Sequence, residues 1–480
     1  MRSKFSFPLR FSVLYLVGVL SLTLLTSVMF GQTVTTVLNF TGNNGMWPTG
    51  PWTQGRDGRL YGTTSYGGFR NGAPGPPAAF VRFDHSTQNL TIYHRFNDFE
   101  GQNVSGGVTL GSDNYFYGTT SSAGDCGLLY RITVNGTYTV LHNFSGGSDG
   151  CGPMGPPIEA TDGNFYGTTS AVIYKLTRNG DFSVIHIFDP SASLYWGPSL
   201  MQGSDGKLYV NTGWGGGTGT GLGGGAGCGS LLKVSLYGAL QASYSFPCAP
   251  GGETPNAGAL AQASDGNFYG ATLIGGSSGV GNLYQLTPAF GVTSLYSFGT
   301  NQYEGAGPNG SLVQGTDGIL YGATSGSFNA PYGGSGTLFQ WSFSTGFRQL
   351  YGFPEITDYN YNKIVSVGAG LMQHTSGLFY GSTTTGGSVY RGSIFSLDMG
   401  LGPFVALVRP HGKVGSNAQI LGQGLTGTSS VTFNGIAATS FNVVSDTYMT
   451  AVVPSGATTG PIVVTTPTHT LTSNRNFTVP

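Results

Sequence analysis

The chain has 480 residues, of which only 8% are Asp, Glu, Lys or Arg against roughly a quarter in an average soluble domain, while 83 are glycine and 13% aromatic. With 26 Tyr and 30 Phe it carries enough apolar surface to fold, and the combination reads as all-β with many tight turns and few solvent-exposed helices. Once Arg2, Lys4 and Arg10 are set aside, 16 basic residues face 20 acidic ones, a net charge of −4 that provides no basic surface for phosphates and excludes nucleic acid as the partner.

Those three basic residues open the chain. They precede an apolar stretch over residues 11–30, with Gly31-Gln32 as a tolerable exit, so residues 1–32 read as a signal peptide. The stretch is long enough to serve as an uncleaved anchor instead, the one route by which the chain would touch a membrane. Both readings place residues 33–480 outside the cytoplasm, secreted or at the cell surface.

The next feature is an internal repeat. An Asp-Gly-x-apolar-Tyr-Gly-Thr-Thr element occurs as DGRLYGTT from Asp57, DNYFYGTT from Asp113, DGNFYGTT from Asp162 and DGKLYVNT from Asp205. It recurs as DGNFYGAT from Asp265, DGILYGAT from Asp317 and SGLFYGST from Ser376. The mean spacing, about 53 residues, is that of propeller sheets rather than short solenoid coils. Each copy divides into four strand signals. Strand A precedes the Asp-Gly turn, which is expected to be a two-residue hairpin connection. Strand B holds Tyr61, Tyr117, Tyr166, Tyr209, Tyr269, Tyr321 or Tyr380. Strand C reads apolar-aromatic-polar-apolar, as in Leu129-Tyr130-Arg131-Ile132, and strand D ends in Phe, as at Phe96 and Phe144.

Strand D follows copies one to six and is missing after the seventh, yet residues 34–40, VTTVLNF, match its pattern. The expected architecture is therefore an all-β, seven-bladed β-propeller over residues 33–400, closed by the N-terminal strand pairing near Ile394, which leaves no exposed sheet edges at the ends of the array. The seven tyrosines are expected to pack between neighbouring sheets rather than line a channel. The glycine after each, replaced only by Val210, suits close backbone approach.

Cys126 and Cys228 precede strand C in their copies, and Cys151 and Cys248 follow strand D. In an antiparallel C–D hairpin these places adjoin, which selects Cys126–Cys151 and Cys228–Cys248 from three possible pairings. An even count suits an exported chain, and each bridge is expected to contribute on the order of 3 kcal/mol. No CxxC or His pair supports a zinc site.

From about Gly402 the repeat stops. Short strands are expected over 405–408, 418–421, 431–433, 449–453, 461–465 and 476–479, a small β-sandwich over 401–480. Gly415, Gly422, Phe433-Asn434-Gly435, Val453-Pro454, Gly456 and Gly460 resemble the IPT/TIG immunoglobulin-like domain of bacterial surface proteins. The 34–398 region, with its Asp-Gly-x-apolar-Tyr-Gly-Thr-Thr unit and CGxLY and LYSF-like partners, resembles the GloVer-type (choice-of-anchor) tandem repeat of exported bacterial proteins. That resemblance implies export and repetition and no defined activity.

Catalytic signals are thin. Each repeated Asp sits at a turn where Asp bonds its own backbone, and Ser376 replaces the seventh. His94, His142 and His186 exchange with Tyr244, Tyr296 and Tyr351 at one strand D place, which indicates half-buried packing. Gly219-Thr220-Gly221-Leu222-Gly223-Gly224 matches GxGxxG with no helix behind it, and no GxSxG, HExxH or Walker pattern occurs. No catalytic residue, metal or cofactor is expected. The A–B and C–D turns are short and uniform, whereas the B–C and D–A connections, such as 213–229, 322–336 and 358–367, are long and irregular. Diverse loops on a constant frame are where binding resides. Trp47, Trp196, Trp214 and Tyr332 fall on or near them and suit stacking on sugar rings. The expectation is a non-enzymatic surface protein that binds a glycan or another surface protein. The alternative, a glycoside hydrolase or lyase, requires two carboxylates on that side, such as Glu304 with Glu355 or Asp358.

Overall fold

A computed structural model of the chain describes residues 32–65, 77–97, 99–101, 103–121, 126–188, 199–213, 227–247, 254–255, 258–300, 304–326, 335–354, 365–368 and 370–480. The segment expected to direct export therefore lies almost wholly outside the described residues. No helix occurs among them.

Every repeat builds one antiparallel sheet in the order A-B-C-D. In sheet 1 these strands are Pro48–Gln54, Leu60–Thr64, Ala79–Asp84 and Asn89–Arg95. Sheets 2 to 6 follow from the next five copies. In sheet 5 a further short strand, Thr254–Pro255, also pairs with strand B. Sheet 7 takes Met372–Gln373, Phe379–Thr383 and Ser393–Asp398 from the last copy, and its fourth strand is Thr33–Asn39. Val34 lies opposite Leu397, Thr36 opposite Phe395 and Leu38 opposite Ile394, where the sequence places it. The result is a propeller-like array of four-stranded sheets.

The period-2 alternation of each strand sends two sets of side chains to opposite faces, and both faces are buried because another sheet lies on each. The strand B tyrosines fill these interfaces. Tyr61 stacks on Phe116 at 4.3 Å, Tyr117 on Phe165 at 3.8 Å and Tyr209 on Phe268 at 4.1 Å, each time on the residue before the tyrosine in the next copy. Tyr380 of sheet 7 shares a buried cluster with Leu60 of sheet 1.

The turn differs from the expected two-residue type. Gly55 N–H bonds Arg59 C=O and Gly58 N–H bonds Gly55 C=O, so the hairpin closes over three residues, 56–58. The Asp lies inside a type I turn, and the next residue alone takes positive φ: 74° at Gly58 and 71° at Asn114.

The glycine after Tyr also acts differently from expectation. In five copies it faces an aromatic side chain on strand C, and at Gly62 it faces Trp52 on strand A, rather than a backbone. A Cβ on Gly118 would lie 2.3 Å from the Tyr130 hydroxyl, and one on Gly167 would lie 2.2 Å from that of Tyr174. Where Val210 replaces the glycine, its cross-strand partner is Leu232, so a small–large pair becomes a medium–medium one.

The C-terminal residues form two more four-stranded sheets. One runs Ala406–Leu407, Asn417–Leu421, Tyr448–Val452, Phe441–Ser445; the other runs Ile436–Ala437, Ser430–Phe433, Ile462–Thr465, Thr470–Thr472. They enclose one core that includes Ile420, Phe433, Met449, Ile462 and Phe477. Phe441–Ser445 and Thr470–Thr472 were missing from the expected strands. Over residues 476–479 only the isolated bridges of Phe477 and Thr478 form, because these residues pair with the loops around Gly460 and His411.

Candidate functional site

The sheets have two ends, and the polar groups differ between them. At the turn end, each repeated Asp is consumed within its own copy. Asp57 Oδ1 accepts the Arg59 N–H at 3.2 Å, and Oδ2 accepts the Tyr61 hydroxyl at 3.0 Å. The Tyr117, Tyr166, Tyr209, Tyr269 and Tyr321 hydroxyls donate in the same way to Asp113, Asp162, Asp205, Asp265 and Asp317, at 2.6 to 2.9 Å. Burial pushes the Tyr269 hydroxyl up to about 12, and the Asp265 carboxylate adds to the effect. Burial also opposes ionisation of Asp265, but hydrogen bonds from Tyr269 and Asn267 outweigh it and hold that carboxyl below its usual range. These carboxylates are committed to holding turn and tyrosine together.

A second set of polar contacts at this end was missed in the sequence. Three residues before the repeated Asp stand Gln54, Glu159, Gln202, Gln262 and Gln314, with Gln373 at the same place before Ser376. Each reaches back to the preceding sheet. Gln202 Oε1 accepts the Thr161 N–H at 2.9 Å while its Nε2 donates to the Thr161 hydroxyl at 3.0 Å. Gln262 grips Ser204, Gln314 grips Ser264 and Gln373 grips Thr316 in the same manner. Glu159 accepts both the N–H and the hydroxyl of Ser112, each at 2.7 Å. Gln54 of sheet 1 grips Thr375 of sheet 7, at 3.0 and 2.8 Å. The recurring Gln, always three positions ahead of the turn Asp or Ser, was the available signal.

Neighbouring sheets approach closely at two glycines on or beside strand A. A Cβ on Gly50 would lie 2.1 Å from the Gly106 backbone, and one on Gly258 would lie 2.2 Å from that of Gly310. At these two points the backbones leave no room for a ligand between the neighbouring sheets.

The other end carries the B–C and D–A connections. Their described parts are tied down at a few points. The disulfide Cys126–Cys151 joins a B–C loop to a D–A loop in sheet 2. Cys228 is also disulfide-bonded, and Cys248, its expected partner, lies outside the described residues. Acidic residues in three D–A loops fold back on strand D. Glu100 Oε2 contacts His94 Nε2 at 3.0 Å, and Asp149 Oδ2 contacts His142 Nε2 at 3.0 Å. Glu304, 4% exposed, accepts the Thr300 N–H and hydroxyl at 3.0 and 2.7 Å. Burial first, then the hydrogen bond to Glu304, pushes the Tyr296 hydroxyl up to about 12. The recurring His therefore packs and clasps: His94 stacks on Tyr138 of the next sheet, and His142 on Phe182.

Of the four aromatic residues singled out on this side, Trp47 alone is described. It is half-buried with φ 51°, its N–H bonds Arg391 C=O, and its C=O accepts the Ser65 N–H. Trp196, Trp214 and Tyr332 lie outside the described residues, as do Glu355 and Asp358. Phe99, not singled out in the sequence, stands 90% exposed on the D–A connection after sheet 1.

The Gloeobacter/Verrucomicrobia repeat profile matches residues 23–172, 66–222, 169–365 and 220–443, each match spanning several copies. The chain belongs to the Gloeobacter/Verrucomicrobia repeat family. No curated protein matches the chain. Among solved structures it is similar to a streptogramin B lyase, with a TM-score of 0.51 at 14% identity over 77% of this chain and 98% of that one. It is also similar to an α-L-arabinanase of Penicillium chrysogenum complexed with arabinobiose, with a TM-score of 0.40 at 12% identity over 76% of this chain and 98% of that one. An auxiliary nutrient binding protein of Bacteroides ovatus aligns with a TM-score of 0.36 at 15% identity over 61% of this chain and 74% of that one. The first likeness shows the propeller-like fold and nothing of the chemistry.

Proposed function

We propose that this chain is an exported, non-enzymatic binding protein. Residues 33–400 close into a seven-bladed propeller, residues 401–480 form an IPT/TIG-type immunoglobulin-like domain, and the loop end holds a glycan or another surface protein. Ring closure is supported by the pairing of Thr33–Asn39 with Ser393–Asp398 and by the grip of Gln54 on Thr375, which repeats between sheets 7 and 1 the contact made elsewhere between neighbours in sequence. Export is supported by the Cys126–Cys151 bridge, since such bonds persist in oxidising compartments.

The observation that carries the functional reading is the inequality of the two ends. At the turn end the recurring carboxylates hold the tyrosines of their own copies and the recurring amides hold the preceding sheet, and C-terminal residues such as Gln419 and Gln423 bond to it. The loop end is where the copies differ, and it bears the exposed ring of Phe99. An exposed ring with half-buried Trp47 on neighbouring connections suits stacking on a sugar face. Glu304, a candidate acid for hydrolysis, is instead buried against Thr300.

The test is a glycan array run beside a polysaccharide-degradation screen and a pull-down of surface proteins. The expected result is retention of one ligand class without release of reducing sugar. Phe99→Ala should weaken that retention about tenfold, as for an interface aromatic of moderate weight, with thermal stability unchanged. Release of reducing sugar by the purified chain would overturn the reading.

A further inference from the structure

The joint between sheets 1 and 2 departs from the pattern of the other six. The residue that should grip the preceding sheet is Leu110, which has no polar atom in its side chain, and the residue it should grip is Arg56. A glutamine is nevertheless present, supplied from more than 300 residues away. Gln419 Nε2 donates to Ser112 C=O of sheet 2 at 2.8 Å, and Gln419 Oε1 accepts from Arg56 Nη2 of sheet 1 at 3.1 Å. Arg56 Nη2 also donates directly to Ser112 C=O at 2.8 Å. The Arg56 guanidinium lies 4.6 Å over the Tyr448 ring, and the Thr447 hydroxyl donates to Arg56 C=O at 2.7 Å. Leu110 belongs to an apolar cluster against which Val408 of the C-terminal residues packs.

The contacts continue on either side. Gln423 Nε2 donates to the Thr375 hydroxyl at 3.1 Å, the same hydroxyl that Gln54 holds between sheets 7 and 1. Arg409 Nε stands 3.5 Å from Glu159, the residue that grips Ser112 between sheets 2 and 3, and its Nη2 donates to Thr161 C=O at 3.2 Å. Phe404 N–H bonds Thr375 C=O, and Gly377, at φ 100°, has no Cβ to collide with the passing Leu401 carbonyl. The three joints touched are the two flanking sheet 1, where the N-terminal strand has just been handed to sheet 7, and the next one along.

We infer that the C-terminal domain is an intramolecular clamp: it supplies, through Gln419, the inter-sheet grip that Leu110 cannot make, and so locks sheet 1 into the array. A freely jointed spacer would need none of these bonds. The apolar Leu110 and the polar Gln419 form one substitution shared between two domains, since the side chain lost from the repeat reappears on the domain that covers it. The inference stands whatever the loop end binds.

Native-state hydrogen exchange on the full chain tests it. Gln419→Ala should speed exchange in Pro48–Gln54 and Val104–Leu110 about tenfold, the factor set by losing one charge-assisted hydrogen bond of ordinary strength. Pro308–Gln314 and Met372–Gln373, whose joint keeps its own glutamine, should not change. Arg56→Ala should give the same local loosening, and combining it with Gln419→Ala should cost less than the sum of the two, because both variants remove the Arg56–Gln419 bond. Leu110→Gln in the Gln419→Ala chain should restore protection of both strands. If that variant is disturbed throughout, the Arg56 and Gln419 pair decides alone. Unchanged exchange in both strands of sheets 1 and 2, or strictly additive effects of Arg56→Ala and Gln419→Ala, would overturn the clamp. So would release of residues 405–480 to proteolysis with both strands still protected.

Discussion

The two ends of the repeat array solve opposite problems with the same sheets. At the turn end, six copies present an Asp at one place and all seven present a Tyr, and the side chains answer one another within a few ångströms. At the loop end the B–C connection shrinks to residues 169–171 in sheet 3 and extends over 213–229 in sheet 4. Regularity here marks structural duty rather than a shared chemical task. A residue that recurs because every sheet must be held is already satisfied and has little left to offer a ligand. The difference between the ends therefore assigns stability to the turn end, and the proposed function puts recognition at the loop end. Variants of the frame should change stability and leave binding alone.

The largest frame effect is expected inside the sheets, where a glycine faces an aromatic ring across strands B and C. Gly167→Val would force methyl groups into the Tyr174 side chain, whose hydroxyl lies 2.2 Å from a Cβ built there, and should cost about 3 kcal/mol. Tyr174→Leu alone leaves a cavity worth about 2 kcal/mol or more. The double variant reproduces the Val210–Leu232 pair of sheet 4 and should recover about 2 kcal/mol of the summed cost. Urea unfolding of the three variants measures the coupling, and additive losses would show that volume compensation is not what makes Val210 tolerable.

Acid should act next, at the seam between sheets 7 and 1. His374 stands where the other copies have Gly55, Gly111, Ala160, Gly203, Ala263 and Gly315. It is fully buried, 4.4 Å from the His85 ring. Its Nδ1 accepts the Ser376 N–H at 3.2 Å, so Nε2 carries the proton and donates to Gly58 C=O at 2.9 Å. Both nitrogens are engaged in the neutral form. Burial, then the neighbouring His85, lowers its pKa to about 4. The unfolded chain takes up a proton near pH 6.5 that the folded chain refuses. The stability is therefore fully present above pH 6.5, is lost as the pH falls towards 4, and levels off below. The loss is about 3 kcal/mol from this group. His411, also lowered to about 4 by burial and then by Arg409, adds in the same direction. The gap between melting temperatures at pH 7.5 and 4.5 should narrow for His374→Gln, with the His411 share remaining; an unchanged acid loss in that variant would assign the sensitivity elsewhere.

These two regions also divide what was legible in the sequence from what was not. The repeated Tyr after the turn marks strand B in every copy, because alternation and a turn are local properties of the chain. The missing seventh strand D and the VTTVLNF segment together located Thr33–Asn39 beside Ser393–Asp398. Cys126 and Cys151 were paired from their places in a hairpin. The grips between sheets were not legible. Gln202 is held by Thr161 and Gln54 by Thr375, partners 41 and 321 residues apart, and no local period reports such a bond. The role of the glycine was misread for a related reason. What it meets is a ring on another strand, and sequence position does not say whether a close neighbour is side chain or backbone. At the loop end, Glu304 had the residue type that hydrolysis needs, but only its burial beside Thr300 separates a clasp from a reactive acid.

A smaller loss is expected from the turn itself. Asp265→Ala removes the acceptor of the Asn267 N–H at 3.0 Å and of the Tyr269 hydroxyl at 2.6 Å, and should cost about 2 kcal/mol. Addition of calcium should change the stability of neither the natural chain nor the variant. A calcium-dependent rise in melting temperature that Asp265→Ala abolishes would make the turn end a ligand site and erase the contrast between the ends.

The smallest effect sharpens the contrast most, because it concerns a polar atom the frame does not use. The Tyr130 and Tyr174 hydroxyls are buried without a hydrogen-bond partner, each pressed against the glycine opposite. Phe339 and Phe395 occupy the same cross-strand place against Gly322 and Gly381, so the site accepts a ring without the hydroxyl. A buried hydroxyl without a partner carries its full desolvation cost, about 1 to 3 kcal/mol, and removing it relieves that cost while giving up only a few dispersion contacts. Tyr130→Phe and Tyr174→Phe should therefore be neutral or raise stability by up to about 1 kcal/mol, while Tyr269→Phe, which abandons the Asp265 carboxylate, should lower it. Denaturant midpoints of the three variants separate the two classes of tyrosine. Were all three to lose stability alike, the strand C hydroxyls would be satisfied by water between the sheets, and the frame would hold a hydrated seam where close packing of ring on glycine is now described.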